Sequence, residues 1–267
     1  IYTMSTTTNI GRSSENNESK LSNNNETKSI TSNQKKKPID KKEMEKKNAI
    51  LNPAIAIGAF NGTILLYYLL RYFLVDSKME FSKPKFFALT GVFIVIVLTT
   101  QITLYTMVSQ AQHNGKKNIV ASILFAIITN VLYVGSVMIL LFLLPGFKEP
   151  FSNTFGYLIV YLFGVKYAMN RLLLSSDEGG DIVKRVYQNP SVLINLITTK
   201  NFNKVMDKLQ KGNPPIIDPD PADLKKLFKL VALKDLIGEW IWIMLAGALA
   251  ISTGYNMMIS LPKMENE

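Results

Sequence analysis

The sequence predicts an all-α, multi-pass transmembrane protein with about five spans. The 267 residues are 48% hydrophobic and only 19% charged, and the charged residues are concentrated at the N-terminus and in one later stretch. Between them lie uncharged runs of at least the ~18 to 20 apolar residues that cross a bilayer. These runs are 86–109, 119–147 and 240–262. The composition excludes a wholly disordered chain and a collagen-like chain.

Residues 1–48 form a low-complexity polar and basic arm, rich in Asn, Ser, Thr and Lys. Such a segment lacks the apolar area that would offset its conformational entropy, so we expect it to be disordered unless a partner orders it. Its basic cluster comprises Lys35, Lys36, Lys37, Lys41 and Lys42. The cluster is predicted to contact lipid headgroups or a protein surface. No aromatic residues interleave the lysines, which disfavours specific nucleic-acid recognition.

Residues 49–174 are predicted to hold transmembrane helices one to four. Proline at position 53 suits the first turn of helix one, because the first helical N–H has no intrahelical partner. The fourth helix is the weakest, since only 15 uncharged residues, 151–165, precede Lys166. The expected spans are 50–70, 86–108, 119–147 and 151–174.

The distribution of Lys and Arg favours a crossing by segment four. With five crossings, 24 of the 30 basic residues fall on the side of the N-terminus and 6 on the other. Without that crossing the totals are 13 and 17. The positive-inside rule therefore predicts five crossings, with residues 1–48 and 175–236 on one side.

Residues 175–236 are predicted to be a small helical extramembrane block. Its last part, 222–236, is predicted to be an interfacial amphipathic helix, because apolar residues at helical spacing alternate with lysines. Its apolar residues are expected to face lipid or the protein core, namely Leu224, Leu227, Phe228 and Val231. Residues 237–267 contain the final transmembrane helix and a short tail. The residues expected at the membrane interface are Lys225, Lys226, Lys229, Lys234, Trp240 and Trp242.

Small residues recur every four positions in the first and last spans, a spacing that allows helices to approach closely. These stripes include Gly58 and Gly62 in the first span and Ala246, Ala250 and Gly254 in the last. The packing they indicate is either within the chain or with another copy.

No catalytic constellation is present in the sequence. There is no cysteine, the single histidine lies in a predicted loop, and no glycine-rich phosphate loop, HExxH or GxSxG motif occurs. The sequence therefore predicts a protein that is not an enzyme and that needs no cofactor or metal.

The polar arm 1–48, the multi-span body, the missing catalytic groups and a Met4 that follows Ile1-Tyr-Thr occur together. In these features the chain resembles the membrane-embedded minor capsid proteins of large eukaryotic DNA viruses. That resemblance implies a structural protein of the virion that joins an internal membrane to the capsid shell, with the bilayer and capsid proteins as partners.

The alternative is a small channel or carrier. Gln101, Asn130 and a set of threonines would then line a pore. The threonines concerned are Thr99, Thr100, Thr103 and Thr106. Threonine also satisfies its hydroxyl on a backbone carbonyl of its own helix, and Gln101 and Asn130 also suit hydrogen bonds between helices.

Overall fold

The computed structural model describes residues 52–74, 83–112, 116–174, 176–212, 215–218 and 220–261. These residues are helical apart from turns, loops and an isolated β-bridge between Leu173 and Ile217. The all-α fold class is confirmed. The predicted arm 1–48, with Lys35, Lys36, Lys37, Lys41 and Lys42, lies outside the described residues.

Four of the described helices are long and apolar enough to cross a membrane. This confirms the multi-pass membrane class. In chain order they are α1 (Pro53–Phe73), α2 (Lys83–Gln112), α3 (Ile119–Leu143) and α10 (Pro221–Ser260). Helix α3 contains a π-helical turn at Asn130–Gly135.

Local sequence sets where three of these helices begin. The side chains of Asn52, Asn118 and Asp220 accept hydrogen bonds from the backbone N–H groups at Ala54, Ala121 and Ala222, at 2.9, 3.0 and 3.2 Å. Proline follows the cap in α1 and α10, where its missing N–H costs nothing.

The membrane helices pack around α10 through its small residues. A Cβ atom added to Gly247 would lie 1.6 Å from the Phe60 ring, and one added to Gly254 would lie 2.3 Å from the Tyr105 hydroxyl. Ala246, Ala250 and Gly254 are buried in this interface. Glycine at 247 and 254 therefore lets aromatic rings from α1 and α2 reach the α10 backbone.

Residues 151–174 do not form a fifth membrane-length helix, which corrects the expectation of about five spans. The stretch is divided into π-helical Ser152–Gly156, α5 (Tyr157–Leu162) and α6 (Val165–Asn170). It breaks at Gly164, whose φ of 86° lies in the left-handed region that favours glycine. The segment predicted to be one long helix is thus divided into several short helices.

A helical cap, which we define as residues 145–236, sits at one end of the bundle. It contains α5, α6 and the first turns of α10, preceded by a 3₁₀ turn at Pro145–Lys148. Its other helices are α4 (Glu149–Phe151), α7 (Ser176–Gln188, interrupted at Gly180), α8 (Ser191–Ile194) and α9 (Phe202–Gln210).

The cap has a hydrophobic core of its own, and α10 supplies one wall of it. Leu227, Phe228 and Val231 are buried there, with Phe202 of α9 packed edge-on against Phe228 at 5.1 Å between ring centroids. The predicted amphipathic helix 222–236 therefore buries its apolar face in protein and continues without interruption into the membrane-spanning part of α10. Of the two surroundings expected for this apolar face, lipid or the protein core, the structure shows the protein core, and 222–236 is not a helix separate from the final span.

The cap and the start of α1 lie at opposite ends of the bundle. Helix α1 runs antiparallel to α10, so that Phe60 meets Gly247 and Arg71 meets Glu239. Asn52 is thus at the far end from Glu239 and the cap. This arrangement corrects the expectation that the N-terminal side of span one and residues 175–236 share one side of the membrane.

Candidate functional site

Two basic and two acidic side chains meet where the bundle joins the cap. Arg71 forms an ion pair with Glu239. Lys148 Nζ lies 3.0 Å from Asp235 Oδ2 and 3.6 Å from Glu239 Oε1. The Lys148 and Asp235 side chains are only 6% and 3% exposed, so removing either partner would leave a desolvated charge.

The four residues come from the end of α1, the 3₁₀ turn after α3 and the middle of α10. Arg71 stands in the last turn of α1, and Lys148 ends the 3₁₀ turn that follows α3. Asp235 and Glu239 are four residues apart, which places both carboxylates on one face of α10. The helix ends therefore bring cations from α1 and from the segment after α3 to a pair of carboxylates on α10.

Asp235 also binds the cap. Its Oδ2 accepts hydrogen bonds from the Thr199 backbone N–H at 2.8 Å and from the Thr199 hydroxyl at 2.9 Å. Ser152 Oγ lies 3.3 Å from Oδ1. Neighbouring Lys234 donates to Asn153 Oδ1 and to the Ile194 carbonyl, both at 3.0 Å. Two successive residues of α10, Lys234 and Asp235, thus bind three segments of the cap, at 152–153, 194 and 199.

Two glycines let these segments come close enough for that network. A Cβ added to Gly238 would lie 2.8 Å from the Ser152 backbone nitrogen, and one added to Gly156 would lie 2.6 Å from the Lys234 carbonyl oxygen. Both clashes are with backbone. The segment that contains Gly156 therefore packs directly on the α10 backbone.

A cavity of about 350 Å³ opens beside the ion pairs. Its charged lining is Arg71, Lys148, Lys200 and Glu239. Its apolar walls come from the ends of α1, α2 and α3 and include Tyr67, Phe86, Phe87, Phe93, Leu141 and Phe142. We call this space the interfacial cavity.

Aromatic contacts fix the walls of the interfacial cavity. The Arg71 guanidinium lies over the Phe86 ring at 4.5 Å from its centroid, a cation–π contact. Tyr67 stacks on Phe93 at 4.5 Å, and its hydroxyl shares a hydrogen bond of 2.9 Å with Thr90. The cavity thus joins a charged end to an apolar interior, the combination that binds an amphipathic ligand.

Gln101, Asn130 and three of the four threonines predicted to line a pore bond to one another or to carbonyls of their own helices. The side-chain amides of Gln101 and Asn130 bond to each other, and Asn130 also donates to the Ala126 carbonyl at 2.8 Å. Thr100 and Thr103 donate to the carbonyls at Ile96 and Thr99. Thr106 donates to the Ile102 carbonyl in the same way. These groups satisfy one another or their own helices, as membrane helices require.

The residues predicted for the membrane interface are divided between surface and interior. Lys226 and Lys229 are exposed and Lys225 is half-buried. Lys234 is fully buried, which corrects its assignment to the interface. Trp242 donates to the Phe147 carbonyl at 2.8 Å and stacks on the Phe147 ring, while Trp240 packs on the bundle core.

The two predicted small-residue stripes have different surroundings. In α10 the stripe packs inside the chain, as described above. A Cβ added to Gly58 or to Gly62 would meet nothing within 4 Å. The α1 stripe therefore makes no close helix contact within the described residues.

Within the described residues, no group of three or more His, Cys, Asp or Glu residues is placed to hold a metal ion. Comparisons of the chain with protein-family models, with curated proteins and with solved structures found no match.

Proposed function

We propose that the protein is a non-enzymatic membrane anchor that holds a protein assembly against a bilayer through its helical cap. The observation that carries the proposal is the continuity of α10. One helix of 40 residues supplies a wall of the cap core and then packs at the centre of the membrane bundle. A partner bound to the cap is thereby connected to the bilayer without a flexible joint.

The buried network supports the proposal that the cap transmits force to the membrane helices. A pull on the cap segment around Thr199 acts on Asp235 of α10, which is also paired with Lys148 in the 3₁₀ turn that follows α3. Force is then distributed over two membrane helices instead of one. Charge-assisted hydrogen bonds in a buried setting are among the stronger polar contacts in proteins, which suits this role.

The finer form of the proposal is a viral minor capsid protein that joins the internal membrane of a virion to the capsid shell. It rests on the resemblance described from the sequence. The cap would face the shell. The arm 1–48 precedes the end of α1 that lies away from the cap, so it would offer an extended contact to the assembly on the other side of the bilayer.

The cap presents two exposed apolar pairs that permit a test without disturbing its core. Leu158 and Leu162 lie on α5, while Val192 and Leu196 lie on and just after α8. Each pair is changed to aspartate, and the amount of protein that sediments with the assembly is measured. We expect at least one double variant to lower incorporation more than tenfold while membrane insertion stays at the level of the unmodified protein.

A transport assay separates the anchor from the channel or carrier. The purified protein is reconstituted into liposomes and the flux of ions and small solutes is measured. Flux no greater than that of empty liposomes is expected. Robust, saturable flux, or unchanged incorporation of both double variants, would overturn the anchor proposal.

A further inference from the structure

We propose that the interfacial cavity binds one anionic phospholipid, with its phosphate at Lys200, Arg71 and Lys148 and an acyl chain between Phe87 and Phe142. This ligand site is separate from the proposed attachment of an assembly to the cap. It is carried by the position, charge and shape of the cavity.

The position of the cavity mouth indicates a ligand that comes from the bilayer. Phe87 near the start of α2 and Phe142 near the end of α3 line the cavity and are 70% and 79% exposed. Both belong to membrane-length helices, so their exposed rings face lipid. Because these two lining side chains are exposed, the cavity is open at the lipid-facing surface of the bundle and acyl chains can reach its apolar walls.

The charge of the lining indicates an anion. Arg71 and Lys148 are balanced by Glu239 and Asp235 through the ion pairs described above. Lys200 adds a further cation to the lining. The three cations therefore exceed the two carboxylates by one charge. This net positive charge complements a phosphodiester, which carries a single negative charge.

The position of Lys200 is fixed by its neighbour. Thr199 is held on Asp235 by two hydrogen bonds, so the backbone next to Lys200 is anchored at the cavity rim. The lysine side chain itself is exposed. A flexible cation on an anchored backbone is suited to close over a phosphate that enters from the membrane interface.

The test uses the purified full-length protein in detergent and counts bound ligand by native mass spectrometry. The probes are dioleoyl phosphatidylglycerol, dioleoyl phosphatidylcholine and glycerol phosphate. We expect saturable retention of one phosphatidylglycerol, with weaker retention of the other two. Because one charge-assisted contact is lost, Lys200→Gln is expected to weaken the apparent affinity about tenfold.

Two matched controls keep the test specific. Lys204→Gln changes another exposed lysine of the cap, and Phe163→Ala removes an exposed ring that does not line the cavity. Neither should alter binding, whereas Phe142→Ala should weaken it. Phe142 and Lys200 are exposed, so their variants are expected to fold.

Three results would overturn the proposal. Equal binding of phosphatidylcholine would remove the requirement for an anion. Glycerol phosphate binding as tightly as the phospholipid would indicate a free phosphate-bearing solute as the ligand. Unchanged phosphatidylglycerol binding in Lys200→Gln would place the lipid at another site.

Discussion

Thr199 donates both its backbone N–H and its hydroxyl to the same Asp235 oxygen that receives Lys148 Nζ. Three donors from two separate segments thus converge on Oδ2 of a nearly inaccessible carboxylate. A single side chain of α10 thus links the 3₁₀ turn that follows α3 to the segment around Thr199. Its replacement would remove contacts on both sides at once.

Asp235→Asn should lower the free energy of unfolding by about 3 kcal/mol, because Lys148 is left as a buried charge with a weakened partner. Reversible unfolding in mixed micelles measures the loss. Asp207→Asn is the control, since Asp207 pairs with Lys211 at an exposed position and its loss should cost no more than about 0.5 kcal/mol. Equal effects of the two substitutions would show that the buried network is unimportant for stability.

Gly238→Ala and Gly156→Ala should each destabilise the junction between cap and bundle by about 1 to 3 kcal/mol, the usual cost of overpacking. The added methyl groups meet backbone atoms of the opposite segment, which cannot move aside as a flexible side chain would. Thermal unfolding followed by circular dichroism gives the change. Gly62→Ala is the matched control in an open position, where alanine should leave stability unchanged or raise it.

Cysteines introduced at Lys116 and Lys200 should react with a membrane-impermeant maleimide from opposite sides of the bilayer. Lys116 precedes α3 at the end of the bundle away from the cap, and Lys200 lies in the cap. The chain contains no native cysteine, so each label reports one position. Labelling of both from one side would restore the five-crossing topology.

Deletion of residues 5–40 should leave the membrane body inserted and folded but abolish its incorporation into the assembly. The reason is compositional, since a polar and basic arm gains order only on a partner and contributes little to a core. Co-sedimentation measures incorporation, and protease protection of the body measures insertion. A deletion variant that incorporates at the normal level would confine the attachment to the cap.

The long apolar helices could be predicted from the sequence because their character is a property of single segments. Uncharged runs around 86–109, 119–147 and 240–262 correspond to helices that the structure also contains. The prediction that 151–174 forms a fourth span was wrong for a reason that only the tertiary structure shows. Residues 151–163 are apolar on two sides, one packed against protein and the other exposed at Phe155, Leu158 and Leu162.

The wrong prediction of a fourth span also explains why the cap was predicted on the same side of the membrane as residues 1–48. The count of Lys and Arg favoured a crossing by segment four, and one crossing more or fewer moves the whole of 175–236 to the other side. Arg71 and Glu239 were recognisable as charges near predicted helix ends. Their pairing was not, because it joins residues 168 positions apart and depends on which helices are neighbours.

The unbroken course of α10 makes the protein sensitive to the thickness of its surroundings. A helix of 40 residues is ~60 Å long, about twice the hydrocarbon thickness, so roughly half of it projects beyond the bilayer. A thinner bilayer is accommodated by tilting such a helix, and a tilt of about 10° would move its outer end sideways by ~5 Å. A change in the curvature or lipid composition of the membrane that alters the tilt of α10 would therefore move the cap sideways.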